Sequence, residues 1–162
     1  MIAVNTSYEK VLWADVLMFT DHRWWRMHEN RVRETFDGQI VTITPKQRDY
    51  GGLLVLQRQR SSGVSTDPTR LACWHTTMTA VLNMAVLRGA KCIGVLGLDG
   101  KGDWHHEPHP ERWGRYPLRH EKHGKALALI AEPLAAMGTH VLNLNPDSAH
   151  RMFEFSTLDQ LL

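Results

Sequence analysis

The chain reads as an α/β protein of the Rossmann-like kind, a predominantly parallel sheet with helices on both faces. Three observations predict this. Short apolar, β-branched runs alternate with segments of helical periodicity. No repeats or low-complexity tracts interrupt that alternation. Apolar runs end in Gly, Asn or Asp, as buried parallel strands do before a loop.

In order, Met1–Val4 is a strand that ends at Asn5-Thr6-Ser7-Tyr8, followed by a short helical turn over 9–13. Val16–Phe19 is a second strand, stopping at Thr20-Asp21. Asp21 is an N-cap for a helix over 22–34, its carboxylate placed to accept from the first free amides. Arg23, Arg26, Arg31 and Arg33 make that helix basic, as a solvated face more than a phosphate clamp. Asp37-Gly38 turns into a strand over 39–43, and 53–56 is a further short strand. Residues 57–70, with Arg58, Arg60, Gly63 and Pro68, read as a basic loop, either closing over an anionic ligand or simply connecting.

Met78, Val81, Leu82, Ala85 and Val86 mark a helix over 76–88, with His75 and the hydroxyls of Thr76 and Thr77 at its start, where free amides can hold phosphate. Gly89-Ala90 leads into a strand over 93–96, then Gly97-Leu98-Asp99-Gly100. A helix over 118–137 follows, with Gly124 and Pro133 implying irregularity. The strand 139–143 comes next, then Asn145-Pro146-Asp147-Ser148 turning into a short helix. The last ten residues read as a packing segment. All 162 residues are read as one domain, 43% hydrophobic and large enough for a core.

A formal charge of +2, from 19 basic and 17 acidic residues, marks no general nucleic-acid binder. No run approaches the roughly 20 apolar residues of a membrane span. Cys73 and Cys92, both in apolar stretches, read as buried reduced thiols, which points to a cytoplasmic setting.

In a doubly wound sheet, residues just beyond strands and at helix starts converge on one edge, where ligands bind. Asn5, Asp21, Thr76, Asp99 and Asn145 all occupy such positions. After Asp99 come Trp104, His105, His106 and His109. Trp104 is the tryptophan read as a stacking surface, since its neighbours are polar. His105, His106 or His109 would serve as base, Asp99 would orient a histidine or an acceptor hydroxyl, and Arg112, Arg115 or Arg119 would neutralise phosphate.

The motifs MIAVNTSYEKVLWADVLMFTDHRWWRMH, RGA, IGVLGLDG, HHEPHP and GTHVLNLNPDSAHRMF, in that order, resemble a family of small bacteriophage proteins. Those proteins are similar to the nucleotide-using group that joins bacterial sialyltransferases and archaeal 6-hydroxymethylpterin diphosphokinases. The resemblance implies a nucleotide or sugar-nucleotide ligand and transfer at phosphate or sugar. By position it implies roles for Asn5, Asp21, His75, Thr76, Asp99, the histidine loop, Asn145 and Ser148, with Asp99, His106 and His109 as the catalytic set.

The sequence departs from that family twice. Relatives usually begin one strand earlier, with a Gly-Gly-Pro-Ser-Leu-type loop whose amides cradle the nucleotide. On this resemblance the chain is N-terminally shortened, through a misassigned start, genuine reduction, or completion by a second subunit in a homo-oligomer. His75-Thr76-Thr77 also stands where Asn-Ser-Gly is expected, and Thr77 cannot let a ligand approach the backbone as Gly can. Two alternatives stay open beside the transferase. One is a non-catalytic nucleotide binder. The other is a divalent-metal phosphoesterase using His-His-x-x-His, although that spacing matches no metalloenzyme signature.

Overall fold

The computed structural model describes residues 1–44, 50–60, 63–102 and 120–161. Strand β1 (Ile2–Val4) is followed by a 3₁₀ helix (Asn5–Lys10), β2 (Val16–Phe19), α1 (His22–Thr35), β3 (Gln39–Thr44), β4 (Leu54–Gln59) and β5 (Arg70–Ala72). Helix α2 (Thr77–Leu87) leads to β6 (Cys92–Val95), α3 (His120–Ala136), β7 (His140–Asn143), β8 (Glu154–Phe155) and α4 (Leu158–Leu161). Among the described residues every strand pairing is parallel. The α/β, Rossmann-like reading holds, with one correction: the strands of the described residues form two sheets, ordered β1-β2-β3-β4-β5 and β6-β7-β8.

The pleat of β2 explains how helices come to cover both faces of the first sheet. Its four residues are all buried and alternate between two cores. Leu17 and Phe19 pack toward α1, where the Trp25 ring stacks on Phe19 with centroids 4.7 Å apart. Val16 and Met18 pack the other way, with Val41, Ile43 and Leu71, against Ala80, Val81 and Met84 of α2. Helix α2 has a second apolar side. Its Leu82 joins Val95 of β6, Val141 of β7 and Leu127, Ile130 and Leu134 of α3 in a third core. One helix therefore serves both sheets.

Four local expectations are corrected. Residues 57–59 belong to β4 and 70–72 form β5, so the loop after Leu56 is shorter than expected. The Arg58 guanidinium donates to the Cys73 carbonyl at 3.1 and 3.2 Å, tying the ends of these two strands. Residues after Asn145 make a turn rather than a helix, because Pro146 and the side-chain bonds described below favour it. Helix α3 runs on through Gly124 and Pro133. Pro133 lacks only the amide that would reach back to Leu129, which lies on the exposed side. Cys92 is exposed, while Cys73 is buried.

Candidate functional site

Parallel pairing places the carboxyl ends of β1 to β5 along one edge. Helix α2 starts at that edge, where the Thr77 hydroxyl bonds that of Thr20, just past β2, at 2.6 Å. It ends at the opposite edge, where Arg88, Gly89 and Ala90 lie beside Met1 and Ile2. Strand β6 consequently rises from the amino edge toward the carboxyl edge, parallel to β1. The first five strands progress away from β1 and the last three away from β6. Winding thus reverses between β1 and β6, and such a reversal is where α/β sheets open a crevice for ligands.

On the β1 side stands Asn5, held at φ 48°, in the left-handed region that side chains rarely adopt. Its Oδ1 is buried and has no hydrogen-bond partner among the described residues. Beside it, Thr6 Oγ1 accepts from the Trp24 indole at 3.0 Å. His75, ahead of α2, is the other non-glycine residue at positive φ among the described residues, at 58°, and it is exposed. Thr76 caps α2 by accepting from the Met78 amide at 3.3 Å. Asp21 caps α1, accepting from the Arg23 amide at 2.8 Å and from its guanidinium at 3.0 Å. Partial burial pushes the Asp21 carboxyl up, but those bonds and the Arg23 charge outweigh it and hold it below the usual value.

On the β6 side, Asn145 Nδ2 donates to the Asp99 carboxylate. Asn145 Oδ1 accepts from the Asp147 amide at 3.0 Å, an Asx turn. The fully buried Ser148 hydroxyl donates to the Leu98 carbonyl at 2.5 Å and accepts from the His150 amide at 3.0 Å. These bonds stitch the loop after β6 to the turn after β7. The stitched loops hold the imidazole of His150, which lies so close to Gly100 and Gly124 that a Cβ there would stand 2.6 and 3.1 Å from it. Burial, then the neighbouring His120 charge, lowers the His150 pKa, with Asp99 opposing.

The structure therefore brings Asp99, Asn145 and Ser148 together, and sets Asn5, Asp21, His75 and Thr76 at strand tips or helix starts on the carboxyl edge. Trp104, His105, His106, His109 and Arg112, with Arg115 and Arg119, lie outside the described residues. Sequence reasoning missed His150, Thr20 and Asn143, whose Oδ1 accepts from the Asn145 amide at 3.1 Å. The one available signal for His150 was Gly124, a poor helix former in the second turn of α3. Among the described residues, no three His, Cys, Asp or Glu side chains gather as a metal site. Two clefts of about 450 and 440 Å³ lie at the amino ends of strands, away from these polar groups. Comparison with models of protein families, with curated proteins and with solved structures finds no match.

Proposed function

We propose that the chain binds a nucleotide or sugar nucleotide at the carboxyl edge, where the winding reverses between β1 and β6. Asn5 carries this reading: a strained backbone and a buried, unpaired amide oxygen at a strand tip are what a ligand with a matching N–H donor would reward. A nucleotide base offers such a donor. The start of α2 supplies amides suited to phosphate, with Thr76 and His75 at its mouth.

On the transferase form of this reading, Asp99 orients the acceptor. His106 or His109 takes the acceptor proton, and Arg112 neutralises the leaving phosphate. A non-catalytic binder is the second reading. It is favoured by how many candidate groups are already committed, since Asp21, Thr76 and Ser148 all accept from the chain's own backbone amides.

The test is thermal unfolding of the full chain with adenosine, cytidine and uridine phosphates and their sugar derivatives. A ligand at a hundred times its Kd should stabilise by about 2.7 kcal/mol. Asn5→Gly keeps the positive φ and removes the carboxamide. It should weaken binding about tenfold, the worth of one hydrogen bond, while leaving the free protein as stable or more so. Absence of any saturable shift, or unchanged affinity in the glycine variant, rejects the site. Ligand turnover in the wild type, lost in His106→Ala, separates transferase from binder.

A further inference from the structure

In a parallel ladder, successive residues turn their backbone N–H and C=O alternately toward the two neighbouring strands. The Met1 carbonyl accepts from Val16 at 3.2 Å, so Ile2 turns its own pair away from β2. The Lys91 carbonyl accepts from His140 at 2.8 Å and that of Val95 from Leu144 at 2.9 Å. Cys92 and Gly94 therefore turn theirs away from β7. Among the described residues, no strand pairs with these two outer edges of β1 and β6. The edge of β1 is closed at its carboxyl end, where Ser7 Oγ accepts from the Val4 amide at 2.8 Å.

Both edges lie under α2. Ile2 and Val4 pack on the core that contains Ala80, Val81 and Met84, and Ile93 and Val95 on the one that contains Leu82. The cleft of about 440 Å³ lies at the amino end of this interval, between Met1, Ile2 and Asp15 on one side and Ala85, Arg88 and Ala90, at the end of α2, on the other. Ala90 is tied in turn to the second sheet, its carbonyl accepting from the Thr139 hydroxyl at 3.0 Å.

We propose that the interval between β1 and β6 is a strand slot, which takes one extended segment of a partner polypeptide and joins the two sheets into one. Two outward edges under one helix are matched at once by a strand parallel to both, and by no compact ligand. The segment would carry apolar residues at the positions facing α2, since Ile2, Ile93, Leu82 and Ala85 line that side. A second copy of the chain is a poor donor, because the apolar strands of the described residues already sit in their own sheets. The slot is independent of nucleotide binding, which concerns the loops beyond the strands.

Amide hydrogen exchange on the full chain tests this, with and without a synthetic peptide of about seven residues, a short strand's length, alternating valine and threonine between terminal lysines. The control peptide carries proline at its centre. The amides of Ile2, Cys92 and Gly94 should exchange freely in the chain alone. They should slow about tenfold or more on saturation with the alternating peptide, and not with the control. Three results overturn the proposal. The amides are already as protected in the free monomer as those of Ala3 and Ile93. They stay unprotected at about 1 mM alternating peptide, the weak end of measurable affinity. Or their protection rises with protein concentration alone, together with a dimer mass by light scattering.

Discussion

His150 is held where its imidazole is hard to protonate. Two glycines close on the ring, the residue is 8% exposed, and His120 adds a like charge when protonated. Its folded pKa therefore lies below the usual 6.5. The stability this environment allows is fully present above the unfolded pKa, where the ring is neutral in both states. It is lost as pH falls through that value toward the folded pKa, because the unfolded chain takes the proton first. The melting temperature should fall between about pH 7.5 and pH 5.5, around the ordinary histidine range. In His150→Gln, which cannot titrate, the fall should be shallower, and equal slopes in the two proteins would remove His150 from the pH response. The contacts around it were illegible in the sequence. Asp99 and Asn145 are 46 residues apart, and nothing local to either says that they meet.

At the scale of elements, Asn83 does what the helical pattern around it does not reveal. It sits in α2 with no exposed surface, and its Oδ1 accepts from the amides of Ser65 and Ala72, each at 2.8 Å. Its Nδ2 donates to the Ser65 carbonyl at 2.9 Å. One carboxamide thus fixes the incoming loop and β5 against the helix. Asn83→Ala leaves two buried amides unpaired and should cost about 3 kcal/mol, measured as the shift in urea unfolding. A loss under about 1 kcal/mol, the net worth of one ordinary hydrogen bond, would mean that water replaces the side chain. The longer elements were readable, since Val16–Phe19, Gln39–Thr44 and the periodic face of α2 carry their signal locally. Strand β5 was not, because its three residues follow a polar stretch and become a strand only by pairing with β4. The two-residue β8 depends on β7 in the same way.

For the whole molecule, the division into two sheets predicts uneven stability. The first sheet has helices on both faces, and its β2 is buried along its length. In the second, Cys92 of β6 and both residues of β8 reach solvent. Native-state hydrogen exchange should be slowest at Leu17, Phe19 and Val41 and faster throughout β6 to β8. Equal protection in both sheets would show that they unfold as one unit. That α/β winding was legible from the sequence, whereas the break between the sheets was not, because an apolar run does not name its neighbour.

Helix α2 also bears on how this sequence can change. Residues 79–85 form seven consecutive buried positions, two full turns with no side given to water. Most helices on a sheet keep an outer stripe on which substitutions accumulate harmlessly. Here every direction around the axis meets a core or the Asn83 staple. Drift that is tolerated on α1, at exposed positions such as Arg26 and Arg31, would in α2 disturb one sheet or the other, so its neutral neighbourhood in sequence space is narrow.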